Sequence, residues 1–159
     1  MRHVVGVADM RVSRDSDDLI VTHALGSCLG VAVHDPVAGV GGLLHVMMPE
    51  GRMNQEKAAS NPFMFVDTGV PALFREMYQA GAAKERMVVK VAGGANVNNV
   101  EKDRFQIGKR NYVILKKLLW KNNVLIEAED VGGVSARTMH LEVGTGRVRL
   151  ATGGVEKEL

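Results

Sequence analysis

Leu29-Gly-Val-Ala-Val-His34 and Val40-Gly-Gly-Leu-Leu-His-Val-Met-Met48 are two apolar runs separated by Asp35-Pro-Val-Ala-Gly39. Pro36 and Gly39 are turn residues, and Pro49 closes the second run. The pattern predicts two strands joined as a hairpin. Hairpin strands run antiparallel, so the start of the first lies beside the end of the second. Cys28 stands at that start and His45 near that end. The expected pairing therefore decides two things: an antiparallel hairpin, and a thiol brought close to an imidazole.

Working outward, residues 3–12 and 19–22 read as strands around the polar turn Ser13-Arg-Asp-Ser-Asp-Asp18. Residues 50–61 are polar with no period and read as a loop, of a length that is often functional. Asp67 or Thr68 is expected to cap a helix whose stripe is Val70, Leu73, Phe74, Met77 and Tyr78. Pro71 falls in its first turn and Gly81 ends it. Residues 86–92 form a strand entering the turn Gly93-Gly94-Ala95-Asn96. A second helix spans about 107–122, with Ile107, Asn111, Ile114, Leu115, Leu118 and Leu119 on one face. Arg110, Lys116, Lys117 and Lys121 occupy much of the remainder, and the basic residues of its last turns suit the helix dipole. Short strands over 124–129, 138–143 and 147–151 complete the chain, turned by Gly132-Gly133 and Gly144-Thr145-Gly146. The sum, about eight strands and two helices, is an α+β fold. One sheet with helices on a face, or two packed sheets with helices outside, would both suit it.

Composition limits the function. The 159 residues fit one domain, 1–159, of ordinary size. Hydrophobic residues at 46% and charged residues at 24% exclude a disordered or fibrous chain. The net charge of +2 comes from 20 Lys+Arg against 18 Asp+Glu, with no long basic run and few aromatics, which argues against nucleic acid as the partner. No apolar run approaches bilayer-spanning length, so no membrane insertion is expected. With Cys28 alone there is no internal disulfide, and a cytoplasmic location is expected. One cysteine cannot build a structural zinc site either.

Cys28 lies in Leu25-Gly26-Ser27-Cys28-Leu29-Gly30. A free cysteine is commonly an inert core residue. Against that, Gly26 and Gly30 allow a ligand close to the backbone, and the N–H groups around Ser27 and Cys28 could form an oxyanion hole. A thiol nucleophile needs a base. Among five histidines the hairpin geometry selects His45, although a single His on an apolar strand is usually a satisfied core residue. A third group must orient the imidazole. The only nearby acid is Asp35, at the hairpin tip; Thr22, six residues before Cys28, offers a hydroxyl or a carbonyl. Gly93-Gly94-Ala95-Asn96 fits neither phosphate-loop pattern and reads as a structural turn. Arg104 and Arg110 read as a solvated face, and Glu127, Glu129 and Asp130 as a solvated edge.

These motifs together resemble the CheD family of chemoreceptor glutamine deamidases in bacterial and archaeal chemotaxis. The likeness runs through Thr22-His-Ala-Leu-Gly-Ser-Cys28-Leu-Gly-Val, Asp35-Pro, Gly41-Gly-Leu-Leu-His45-Val-Met-Met-Pro49, Asn61-Pro, Asp67-Thr68, Gly93-Gly94-Ala95, Arg104-Phe-Gln-Ile-Gly108-Lys-Arg-Asn111, Asp130-Val-Gly-Gly133, Arg137 and Thr145-Gly146, in order along nearly the whole chain. The chain departs from the family pattern at His23, Ala92 and Asn96-Val97. The resemblance implies a catalytic Cys28, His45 and Thr22, with Ser27 and Gly26 shaping the substrate and oxyanion pocket, and no cofactor or metal. It implies mixed β-sheets packed as a sandwich with flanking helices, similar to cytotoxic necrotizing factor-type cysteine deamidases. The implied substrate is glutamine on the cytoplasmic helical region of methyl-accepting chemotaxis receptors, hydrolysed through a thioester. The chemotaxis phosphatase CheC is the implied partner. Hydrolysis of glutamate methyl esters would use the same chemistry. A non-catalytic adaptor and a cysteine hydrolase for another protein amide are the rival readings.

Overall fold

The computed structural model describes residues 1–97 and 105–159. Arg104 lies outside the described residues. The expected hairpin is present: β4 (Leu29–Asp35) pairs antiparallel with β5 (Val40–Val46), Asp35 opposite Val40 and Gly30 opposite His45. The Asp35 carboxylate closes the turn by accepting from the N–H groups of Val37 and Ala38. It also accepts from Ala83 N–H and the Arg86 guanidinium. Burial works against its ionisation, but Arg86 and these three N–H groups outweigh that and hold it below the usual carboxylate range. So committed at the hairpin tip, Asp35 is not the partner of His45.

The remaining strands are β1 (Arg2–Val5), β2 (Asp9–Ser13), β3 (Leu19–Leu25), β6 (Val88–Gly93), β7 (Ile126–Val131), β8 (Arg137–Glu142), β9 (Val148–Thr152) and β10 (Val155–Glu158). Among the described residues they form two five-stranded sheets, β1-β3-β8-β9-β10 and β2-β5-β4-β6-β7. Both are mixed: β1–β3 and β6–β7 are parallel, and every other pairing is antiparallel.

Two helices lie on the outer face of the β4–β5 sheet, α2 (Val66–Gln79) and α3 (Ile107–Lys121). Period-two alternation sorts the strands' side chains between these layers. Val31, Val33, Leu44, Val46, Val89 and Val91 face Leu73, Met77, Leu115 and Leu119 of the helices. Ala32, Leu43 and Ala92 face Ile20, Leu25, Met139, Leu141 and Leu150 of the other sheet. Each fully buried Leu or Val contributes roughly 1.5–3 kcal/mol, so both cores are substantial. Because β4 and β5 are covered on both sides, every residue in them is buried. Small residues let the sheets meet: a Cβ on Gly30 would stand 2.7 Å from Met139 Sδ and 2.8 Å from Leu25 Cδ1.

Several expectations change. Residues 3–12 are not one strand: the chain crosses between sheets at Ala8, which has φ 58°, leaving β1 and β2 in different sheets. Residues 50–61 are not a plain loop, because they hold a 3-10 turn over Gly51–Met53 and α1 (Gln55–Ser60), capped by the Asn54 side chain. α2 starts at Val66 without a side-chain cap, and Pro71 sits in its second turn. Asp67 instead accepts from Gly51 N–H at 2.8 Å, and Thr68 donates to the Pro62 carbonyl at 2.5 Å. β10, fully exposed at a sheet edge, had no apolar alternation to announce it. Asp130 is no free solvated carboxylate: it pairs with Arg137 at 3.2 Å and with Lys157. Among the described residues no helix is long and apolar enough to cross a membrane.

Candidate active site

Thr22 and His45 come from opposite sheets and meet in the layer between them. Both are fully buried. Thr22 Oγ1 stands 2.7 Å from the Val5 carbonyl and 2.7 Å from His45 Nδ1. A hydroxyl has one proton, and a carbonyl can only accept. The Thr22 proton therefore goes to Val5, and Thr22 accepts from His45 Nδ1–H. That assignment fixes the tautomer and leaves Nε2 as the basic nitrogen. Nε2 is buried without a hydrogen-bond partner among the described residues. Burial lowers the His45 pKa to about 4, so the imidazole is neutral at pH 7.

Cys28 is half-buried and packs against the inter-sheet core. Gly30 lies opposite His45, and Cys28, two residues earlier, extends the same face. Diagonal neighbours of this kind are about 7–8 Å apart at Cα and closer at Cβ, with no Gly30 side chain between them. Burial raises the Cys28 thiol pKa, its own N–H pulling the other way. At rest the thiol and the imidazole are thus both neutral, not a preformed ion pair.

The turn carrying Cys28 is gripped through three successive carbonyls. Gly26 O accepts from Ala95 N–H at 2.7 Å and Cys28 O from Gly94 N–H at 2.9 Å. Ser27 O accepts from Asn111 Nδ2 of α3 at 2.9 Å. Among the described residues no other residue accepts from the N–H of Ser27 or of Cys28. Ser27 is exposed and Gly26 half-buried, where a Cβ would meet Val97 Cγ2 at 2.9 Å. Gly93 must be glycine: its φ is 113°, and a Cβ would sit 2.2 Å from the Cys28 carbonyl oxygen. Arg137, nearly buried, donates to Gly93 O at 2.9 Å and to Gly132 O, anchoring the gripping turn from behind.

Gly93-Gly94-Ala95 is indeed a structural turn, but its partner is the cysteine turn. Asn111 and Arg137 were not legible as site-supporting residues. Asn111 did carry a signal, a polar side chain inside an apolar helical stripe. Arg137 begins a strand in a polar stretch and is marked only by the family likeness. His23 is exposed; His34 is buried and bonded through Nε2 to Val143 O at 2.8 Å, away from Cys28. Among the described residues no group of three or more His, Cys, Asp or Glu gathers as metal ligands.

Fold and contacts together define an α+β sandwich whose two sheets share a hydroxyl–imidazole pair beside a half-buried thiol. A family model described as CheD chemotactic sensory transduction matches residues 47–152. A probable chemoreceptor glutamine deamidase CheD 1 of Syntrophus aciditrophicus is 47% identical, covering 98% of each chain. One from Solibacter usitatus is 44% identical over 98% of this chain and 92% of its own. One from Pyrococcus abyssi is 40% identical over 92% and 88%. A solved Neisseria meningitidis structure, family-model DUF152, superposes with TM-score 0.43 at 10% identity, over 83% of this chain and 63% of that one. The chain belongs to the CheD family.

Proposed function

We propose that this protein is a chemoreceptor glutamine deamidase, a cysteine-dependent protein-glutamine glutaminase folded as one domain over residues 1–159. The observation that carries the mechanism is the Thr22–His45 contact, because it leaves a neutral, basic Nε2 on the face that Cys28 extends. His45 takes the Cys28 proton, and the thiolate attacks the glutamine side-chain carbonyl carbon. The oxyanion is held by the N–H groups of Ser27 and Cys28, with Gly26 keeping the turn tight enough to present them. The His45 imidazolium protonates the leaving nitrogen, the C–N bond breaks, and ammonia departs. Water, deprotonated by His45, then attacks the Cys28 thioester and releases glutamate with the thiol restored. Thr22 holds the imidazole throughout.

The substrate is glutamine on the cytoplasmic helical region of a methyl-accepting chemotaxis receptor, and the enzyme works in the cytoplasm. A side chain on a helix surface is reachable by a shallow site without unfolding. Glutamate methyl esters fit the same acyl chemistry, and CheC is the partner where the cell makes it. Likeness to cytotoxic necrotizing factor-type cysteine deamidases belongs to this reading as well.

The test is intact-peptide mass spectrometry of a receptor cytoplasmic fragment incubated with the native chain and with Cys28→Ala. Gln-to-Glu conversion by the native chain alone supports the reading. Conversion by both overturns Cys28 as nucleophile. Binding by both without conversion favours an adaptor.

A further inference from the structure

Asn111 is fully buried in a helix face otherwise given to Leu115 and Leu119. Its Nδ2 donates to two carbonyls, Ser27 O at 2.9 Å and Met47 O at 3.2 Å. Carbonyls only accept, so the amide orientation is fixed. Its Oδ1 is left buried without a partner among the described residues. A buried unpaired acceptor is destabilising, and an apolar side chain of similar size would spare that cost. What an apolar side chain could not supply is the pair of donors. Their two acceptors bracket the candidate catalytic pair: Ser27 precedes Cys28, and Met47 follows His45 by two residues.

A trans peptide is planar, with C=O and N–H pointing in opposite directions. The Ser27 carbonyl and the Cys28 N–H belong to one such plane. Drawing the carbonyl toward α3 therefore aims the Cys28 N–H away from the helix, toward the side where an oxyanion would form. The bond to Met47 O ties the same amide group to the chain leaving β5. We infer that Asn111 is a positioning residue for the deamidation reaction: it aims the Cys28 N–H and sets the spacing between the cysteine turn and the histidine strand. This role rests on the proposed function, because it takes Cys28 as nucleophile and its N–H as oxyanion donor.

The experiment compares native protein, Asn111→Leu and Leu119→Ala at a temperature where all are folded. Leu119 is a buried residue two turns further along the same helix, inside the α2–α3 core. Three quantities are read: Tm, kcat and KM on a receptor fragment, and the pH dependence of Cys28 alkylation by iodoacetamide. Asn111→Leu is expected to lower kcat roughly 30- to 300-fold with KM changed less than about twofold. It also slows Cys28 alkylation at pH 8 by about threefold, since the N–H that favours the thiolate is no longer held in place. Leu119→Ala is expected to lower Tm while kcat stays within about twofold. An unchanged kcat in Asn111→Leu, or an equal loss in Leu119→Ala, overturns the role. If Asn111→Leu does not fold, Asn111→Asp, of the same shape and with at most one donor where the amide has two, is judged by the same criteria. If the native chain fails to deamidate the fragment, the functional reading falls, and the alkylation profile alone decides whether Asn111 positions Cys28.

Discussion

Thr22 and His45 sit on strands of different sheets, yet their side chains are 2.7 Å apart, and the Thr22 proton is already committed to Val5. The pair therefore has one consistent set of protons. Thr22→Val keeps the shape and removes the bridge, stranding both Nδ1–H and the Val5 carbonyl. It is expected to cost about 1–3 kcal/mol in thermal or urea unfolding and to lower ammonia release from a receptor fragment roughly 100-fold. Thr22→Ser should restore most of both. Full activity in Thr22→Val would remove the hydroxyl from the mechanism.

Acid should weaken the fold through His45. In the unfolded chain this imidazole titrates near 6.5, whereas burial lowers its folded pKa to about 4. Between those values the unfolded chain binds more protons, so stability falls as pH falls. The contribution is fully present above about 6.5 and is lost progressively toward about 4, some 3 kcal/mol in all. Urea unfolding at pH 7 and pH 5, native against His45→Gln, checks this. The pH slope should be shallower in the variant.

Thiol reactivity should follow burial. Cys28 alkylation is expected to reach half its maximal rate above the ordinary cysteine range, and to be faster in urea-unfolded chain than in folded chain at pH 8. A folded midpoint below pH 8 would mean a resting thiolate–imidazolium pair instead.

Two glycines with positive φ should respond very differently to alanine. At Gly39, φ is 69° and nothing lies within 4 Å of the added Cβ. Gly39→Ala is expected to cost about 1 kcal/mol. At Gly93 the Cβ would meet the Cys28 carbonyl at 2.2 Å, so Gly93→Ala should cost more than about 3 kcal/mol and abolish deamidation. Differential scanning calorimetry with the activity assay separates them.

The hairpin register was legible because Pro36 and Gly39 fix the turn and the apolar runs fix the strands. From it came the expectation that His45 and Cys28 lie close together. The helices from Val66 and Ile107 were legible through their apolar spacing. Spacing left the packing of two sheets open, since alternation reports that a face is buried and not what buries it; only the family likeness implied it. For the same reason Thr22 could be placed by family likeness but not by spacing: its contact with His45 crosses between sheets. The crossover at Ala8 was invisible because a non-glycine left-handed residue leaves no mark in composition. Asp67 and Thr68 looked like caps, but tertiary partners, Gly51 and Pro62, claimed their side chains.

β3, which bears Thr22, lies between β1 and β8, and Leu19 pairs with Glu142 near the far end of the chain. Long-range pairing of this kind forms late, because the loop must close before the contact is rewarded. A ribosome-bound chain lacking β8 thus has Cys28 and His45 already made but no finished sheet to deliver Thr22. Catalytic competence is therefore expected only once β8 is in place, and a nascent or proteolytically shortened chain without it is expected to be silent toward the glutamines around it. Chains ending before Arg137 should accordingly show neither deamidation nor the protected alkylation profile of the whole protein.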